Sequence, residues 1–469
     1  MPPPSLPRRI PAPYPLFGYE VLGHRTQPFL PGHYLAQFHE DLAEDPAALQ
    51  AAVAEAGFQT WDQLYADRNQ WWLHPERPQI GPWISVNTLQ EELFIMDRNP
   101  YFWQVDAEGK QLPYIDRVTH RLHETPDVFN LWIVNGEIDF QGRNVEFANY
   151  TLFKESEASG DYRVYLGSST YHTCFTPNHA TQNEALREFF GERNVRIALA
   201  LAVNRDEINE LLYNGLATPR QYSPMETSPQ YDPELSNAYI EYDPEEANRL
   251  LDEAGYDQRD SEGWRMYKDG SGAVFFTIEG IDPAGSAGED HAQMLVRYFN
   301  DVGVNCAYRY VERSLYTEHY ESNAIEAAWV IWNNRSVLPL VAPGIFLGTN
   351  LDHPWCPGWA MWKADPTNPN AVEPPEGHWI HDIWATWDKV ALEPDDDQRN
   401  QLFFQILDIW AEELPQVGYL GMFPQLTIVR NGFRNFKSGY PFDDPTGYEH
   451  LQGNQVYYWD EPDKHAAQL

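Results

Sequence analysis

Cysteine is scarce: Cys174, Cys306 and Cys356 are the only three in 469 residues. They lie far apart and form no CxxC pair, so no zinc site or redox motif is signalled, and at most one disulfide could form. Basic residues are also few, 32 against 70 acidic ones, for a formal net charge of −38. Such a field repels the phosphate backbone that nucleic-acid binders must neutralise, which excludes nucleic acid as a partner. No stretch approaches the roughly 18 uninterrupted apolar residues of a membrane span. The opening MPPPSLPRRIPAP, Met1 to Pro13, lacks the apolar run of a signal peptide. Nucleotide motifs are missing too: Gly109-Lys110 has no P-loop context, and no GxGxxG follows a strand. No GxSxG elbow is present, and Gly285-Ser286-Ala287-Gly288 has the wrong spacing and reads as a connector before a helix. His120 and His123 fall in a strand-like stretch where a spacing of three sends them to opposite faces, so no metal site is expected.

What is present is globular material. Hydrophobic residues at 42% and aromatics at 14% supply ample core, and a chain of this length divides into two or three lobes. The acidic excess reads as a solvating surface. Helix grammar is plain at several points. Asp45 as cap with Pro46 at the first helical position opens an Ala-rich helix that stops before Gly57, and a short helix follows at Trp61 to Tyr65. Asn204 caps a helix with Glu207 at the third position, reaching back as in a capping box. Asp243, Pro244 and Gly255 bracket another helix. Met294, Leu295, Tyr298 and Val302 mark a helix that Gly303 ends, and Val304, Cys306, Tyr308 and Tyr310 then alternate as a strand. Asp395 to Glu413 reads as helix, Gln425 to Val429 as strand, and Trp83 to Val86 with Glu92 to Met96 as paired edge strands. Thr367 to Glu376 is a Pro- and Asn-rich surface loop.

The run Ala327 to Trp332, AAWVIW, is short, continuous and apolar, as expected of a strand buried on both faces. Ligands of open α/β layers sit beyond the carboxyl ends of strands. Trp332, Asn333, Asn334 and Arg335 are therefore the leading pocket candidates. The seventeen tryptophans and twenty-seven tyrosines are mostly core, yet flat rings also suit sugars and peptides. The many carboxylates leave a secreted carbohydrate hydrolase, with a facing acid pair, as a reading from another class.

Several segments together resemble bacterial extracellular solute-binding protein family 5, the dipeptide, oligopeptide and nickel-binding receptors of ABC transporters. Asn194 to Pro219, NVRIALALAVNRDEINELLYNGLATP, is similar to that family's helix, Asn-Arg-Asp turn, second helix and Gly-x-Ala-x-Pro exit. Tyr242 to Gly255, YDPEEANRLLDEAG, resembles its Tyr-Asp-Pro helix. Gly81-Pro82-Trp83, Arg98 to Trp103 (RNPYFW) and Pro113 to Asp116 (PYID) resemble its first-lobe strands and turn, and Gly136 to Gly142, GEIDFQG, its Gly-Glu-Ile-Asp element. The resemblance runs from Pro15 to Trp459.

It implies an α/β, two-lobed periplasmic-binding-protein-like architecture of type II, cluster C-like, with mixed sheets flanked by helices and a hinge that closes over the ligand. Residues 1–172 would belong to the first lobe, 173–418 to the second and 419–469 to the return, with crossings near Tyr171-His172-Thr173 and Gly418-Tyr419-Leu420. The first lobe is expected to be incomplete, the chain starting where that lobe is already advanced, near Tyr14 to Phe17. The implied function is a passive receptor, not an enzyme and without cofactor. It would take an oligopeptide or similar oligomeric solute to ABC permease subunits, outside the cytoplasm in the periplasm or at the cell surface. A monomer is expected, tied to a membrane only through the permease or a lipid anchor missing from this chain. Peptide-binding members present an Asp just after the strand end. Here that stretch is Trp332-Asn333-Asn334-Arg335, with no carboxylate, which keeps an oligosaccharide-binding member open as an alternative. Trp359 in the loop from Pro354 to Pro375, and Tyr171 and Tyr419 at the crossings, complete the expected ligand contacts.

Overall fold

The computed structural model describes residues 30–330, 336–439 and 453–465. Among these the chain forms two compact units, a smaller one from 30–167, 426–439 and 453–465 and a larger one from 168–425. The expected lobe boundaries at 172/173 and 418/419 fall a few residues inside the larger unit. They would cut two paired strands, and the chain instead divides just outside that pair.

In the smaller unit, β1 (Trp83–Ser85), β2 (Leu93–Arg98) and β3 (Arg117–Arg121) form an antiparallel sheet. The Asp45 carboxylate accepts from the backbone N–H groups of Ala47 and Ala48, and Pro46 opens the helix Pro46–Glu55, as the sequence predicts. The strands β4 (Phe140–Gln141) and β5 (Tyr162–Ser168) flank a third strand that arrives much later in the chain. Helices Pro126–Val134 and Tyr150–Gly160 pack with them around Phe129, Ile133, Phe153, Tyr162, Leu426 and Ile428. Gly136 ends the first of these helices at φ +70°, and a Cβ there would lie 2.0 Å from the Gly160 carbonyl oxygen. The glycine of the Gly-Glu-Ile-Asp element is thus required by backbone conformation and by close approach together.

The larger unit is built on six strands: β6 (His172–Pro177), β7 (Thr218–Pro219), β8 (Phe275–Gly280), β9 (Asn305–Tyr310), β10 (Ala327–Val330) and β11 (Val417–Gly421). Their order is β7-β11-β6-β10-β8-β9. The strands β8, β9 and β10 run parallel, while β6 lies antiparallel between β10 and β11. One edge of the sheet therefore collects the carboxyl ends of β8, β9, β10 and β11 and the start of β6. Alternation along β10 sends Ala327 and Trp329 into one core and Ala328 and Val330 into the other, so the strand is buried on both faces as the AAWVIW run predicts. The first core holds Phe175, Phe276, Ile278 and Phe299 under helices Arg193–Leu201, Arg205–Tyr213, Pro244–Glu253 and Ala287–Asp301. The second holds Trp355, Trp359, Phe403 and Trp410 under helices Pro357–Ala364, Trp379–Val390 and Asp396–Glu413.

The chain then returns to the smaller unit as β12 (Pro424–Arg430), antiparallel to β4, and closes with β13 (Phe433–Arg434) and β14 (Tyr458–Trp459). Cys174, Cys306 and Cys356 are all buried free thiols. Gly285 to Gly288, expected as a connector, contains a helix start: the Ser286 hydroxyl accepts from the Glu289 N–H at 3.2 Å.

Three buried arginines tie helices to backbone. Arg205, next to the Asn204 cap, donates to the carbonyls of Ala200 (2.9 Å), Ile240 (3.1 Å) and Gly418 (2.8 Å). Gly418 sits at an irregularity in β11 that shifts its register against β6. Its N–H donates to the Gln221 side chain at 2.6 Å, and a Cβ there would lie 2.4 Å from the Tyr222 nitrogen. Arg196 similarly binds the carbonyls of Phe190 and Gly191 and the Glu413 carboxylate, and Arg265 binds Asp252, Tyr256 and Val302. Burial pulls the Arg205 pKa down to about 9, the cost of holding a cation where water is excluded. The Asn204 cap forms, accepting from the Glu207 N–H at 3.0 Å. The reciprocal half of the expected capping box does not: the Glu207 carboxylate is taken by the Tyr298 hydroxyl at 2.6 Å and by Arg297 at 2.7 Å. A charge-assisted tertiary pair outcompetes a local return bond.

Replacing Arg205 by Met takes a donor from the carbonyls of Ala200, Ile240 and Gly418, and a buried acceptor left unsatisfied costs about 1–3 kcal/mol. The expected outcome is a fall of several degrees in the thermal unfolding midpoint, read by circular dichroism, with Arg205→Lys recovering only part of it because one ammonium cannot span the same fork.

Candidate functional site

The carboxyl edge of the six-stranded sheet is where the larger unit brings polar side chains into an otherwise apolar layer. Strand β10 ends at Val330, and Trp332, Asn333, Asn334 and Arg335 follow it in sequence but lie outside the described residues. Tyr171 immediately precedes β6 and is half-buried, and its carbonyl accepts from the Met422 N–H at 3.2 Å, beyond the end of β11. Thr170 accepts from the ring Nδ1 of His172 at 3.0 Å and from the Ser336 hydroxyl at 3.3 Å, so the segment after residue 335 re-enters beside the start of β6.

Two of the expected contact residues are core side chains. Tyr419 is fully buried in the first core, at the β11 irregularity, where its hydroxyl meets the Trp329 indole N–H. Trp359 is buried on the other face, against the rings of His179, His378 and Trp379. His179 follows the carboxyl end of β6, and because β6 runs antiparallel this places Trp359 near the opposite edge of the sheet from the end of β10. The structure therefore brings Tyr171 to the strand-end edge and separates Trp359 from it.

Residues that the sequence reading passed over surround the same edge. Asp282 lies two residues beyond β8, the parallel neighbour of β10, and is 9% exposed. Its Oδ2 is buried without a hydrogen-bond partner, and burial raises its pKa to about 6. The Tyr308 hydroxyl donates to the Asp282 carbonyl at 2.8 Å. A Cβ on Gly288 would come within 2.3 Å of the Asp282 Cγ, so only glycine allows the first turn of the helix to seat against this carboxyl. Beside it, Tyr213 and His291 share a hydrogen bond of 2.8 Å between the hydroxyl and Nε2, and the His291 ring packs 5.7 Å from Trp329 and 6.1 Å from Tyr419. His291 is fully buried, and desolvation lowers its pKa to about 3, so it is neutral at pH 7. On the other face, His172 is held neutral by burial and by the neighbouring Arg220 cation. The one sequence signal for Asp282 was an Asp-Pro step directly after a strand. Nothing in the spacing of His291 distinguished it from a surface helix residue.

Further back on β8, the Glu279 carboxylate is held by the His319 ring Nδ1 at 2.9 Å and by Arg309. Among the described residues no group of three or more His, Cys, Asp or Glu could hold a metal ion. A mixed sheet covered by helices on both faces, with polar groups gathered where its strands end, is an α/β architecture of the kind periplasmic binding proteins have. The fold is shared with the periplasmic binding protein MelB from Agrobacterium fabrum C58, solved in complex with stachyose. The TM-score is 0.69 at 18% identity, over 94% of this chain and 63% of that one. An oligopeptide-binding protein OppA of known structure is 32% identical over 96% of this chain and 73% of that one, with a TM-score of 0.65. The chain belongs to the bacterial extracellular solute-binding proteins, family 5, whose "Middle" profile matches residues 26–350. Among curated relatives, a periplasmic alpha-galactoside-binding protein from Rhizobium meliloti (strain 1021) is 22% identical over 78% of this chain and 52% of its own length. The oligopeptide-binding protein OppA of Lactococcus lactis subsp. lactis is 24% identical over 48% of this chain and 36% of its own length. The chain thus spans about half the length, or less, of these curated relatives.

A histidine with a folded pKa near 3 stays unprotonated while its unfolded counterpart takes up a proton below about pH 6.5. The unfolded state therefore binds more protons between those values, and stability is lost as pH falls through that window. His291→Gln, compared with wild type in thermal melts from pH 7 to pH 4, is expected to lose less of its midpoint on acidification. An equal or steeper loss would mean that His291 is protonated in the folded protein.

Proposed function

We propose that this chain is the solute-binding component of an ABC importer, a passive receptor that captures an oligopeptide or a similar oligomeric solute outside the cytoplasm and delivers it unchanged to permease subunits. The observation that carries the reading is the 32% identity to an oligopeptide-binding protein across 96% of the chain. Family membership supports binding over turnover. No helix among the described residues is long and apolar enough to cross a membrane, which suits a receptor that relies on its permease. The net charge of −38 argues against nucleic acid as a partner. It also disfavours self-association, and we assign the receptor as a monomer. Tyr171 with Trp332, Asn333, Asn334 and Arg335 are the contact residues in this proposal.

An oligosaccharide ligand is the second reading, favoured by two relatives whose names carry sugars, the alpha-galactoside-binding protein and MelB with stachyose. The sequence Trp332-Asn333-Asn334-Arg335 adds amide groups that can both donate and accept to hydroxyls. A ligand at 100 times its dissociation constant stabilises the folded state by about 2.7 kcal/mol. The expected result of a thermal-shift screen of peptides and galactosides is a saturable rise of several degrees with one class, the ligand being recovered intact by mass spectrometry. Cleaved product, or no shift with either class, contradicts the proposal.

A further inference from the structure

Folding concentrates a chain's charges, and like charges repel more strongly the closer they are held. The formal net charge is −38, and the fold makes the surface more negative than that figure. Among the described residues six arginines are buried and no lysine, against three carboxylates, Asp232, Glu279 and Asp282. Arg205, for example, donates only to carbonyls, so its charge is withdrawn from the surface. Helix ends add to the imbalance. The last turn of a helix carries partial negative charge and favours cations. Helices Pro46–Glu55, Pro244–Glu253, Ala287–Asp301 and Asp396–Glu413 each end on a carboxylate with no basic residue in that turn. Arg249 and Arg196 offset Glu253 and Glu413. Glu55, Asp301 and Glu412 are exposed, and among the described residues no Lys, Arg or His pairs with their side chains. On the last of these helices, burial and the Asp232 carboxylate together raise the Asp408 pKa, a sign of acids held close to one another.

We infer that the acidic surface makes the fold sensitive to ionic strength: dissolved salt holds the native state together, and diluting the salt weakens it. Repulsion between exposed charges reaches about 30 Å at 0.01 M ionic strength and about 3 Å at 1 M. On a surface where acids far outnumber bases, added ions therefore relieve more repulsion than attraction. The unfolded chain carries the same charges over a much larger volume and gains less from them. The two cores of the larger unit and the Arg205 clamp are shielded from solvent and respond little. The working medium that follows is a saline one in direct contact with the protein. That placement rests on the receptor reading above, which puts the chain outside the cytoplasm; the salt dependence itself does not.

The test follows thermal unfolding of the whole chain by circular dichroism from 10 mM to 2 M NaCl at pH 7.5, without ligand. Wild type is compared with the triple variant Glu55→Gln, Asp301→Asn, Glu412→Gln. The wild-type midpoint is expected to rise by about 5 °C or more between 10 mM and 0.5 M NaCl, where the screening length falls most, and then to flatten. The triple variant is expected to melt higher than wild type at 10 mM NaCl and to converge with it by 1 M, because the charges it lacks are by then screened. KCl in place of NaCl should give the same curves. A wild-type midpoint that is level or falls with salt overturns the inference. A rise that begins only above 1 M does so too, since that marks exclusion of salt from the protein surface and not screening. A response to one of the two cations alone also overturns it, in favour of specific ion binding. A variant displaced equally at low and high salt overturns it as well, because its substitutions then act through local structure. No ligand enters these melts, so a failed solute screen removes the receptor reading and leaves this result standing.

Discussion

The larger unit depends on a sheet that is dry on both faces. Once β6 and β10 are buried above and below, every backbone group near them must find a partner inside the protein. The residues around the sheet are explained by that demand. Arg205 and Gln221 satisfy Gly418 at the β11 irregularity, Arg196 closes the helix end at Phe190 and Gly191, and the Thr173 hydroxyl accepts from Leu420 N–H at 3.2 Å. The Asn-Arg-Asp signature is therefore a structural clamp: its Asn caps a helix and its Arg holds the neighbouring strand.

A sheet so thoroughly covered leaves its strand-end edge as the place where polarity can be functional. The antiparallel placement of β6 puts its start beside the ends of β8, β10 and β11, so Tyr171, Asp282 and Ser336 come to one edge from distant parts of the sequence. Burial keeps His291 and His172 neutral there, while Glu279 on β8 is held by Arg309 and His319 and the Asp282 Oδ2 has no hydrogen-bond partner.

Most of the fold was legible in the sequence because local rules were obeyed. Asp45-Pro46, Asn204 and Asp243-Pro244 each start helices where cap chemistry predicts, Gly303 ends one, and Ala327–Val330, the described part of the AAWVIW run, forms a doubly buried strand. What was not legible depends on partners far away in the chain. Glu207 was expected to return to its own cap and instead binds Arg297 and Tyr298, about 90 residues later. Trp359 and Tyr419 were expected at a ligand and are packed into opposite cores, since a ring's role is set by which face of the sheet it covers, and spacing does not reveal that. Asp282 and His291 went unnoticed because their significance lies in missing partners and in burial, both properties of the folded molecule alone.

Native mass spectrometry of the purified chain, incubated with a mixed pool of peptides and oligosaccharides and then desalted, tests the central claim most directly. A passive receptor retains one solute per chain and releases it with its mass unchanged when the protein is denatured. A chain that emerges without bound solute, or accompanied by hydrolysed fragments of one, contradicts the account.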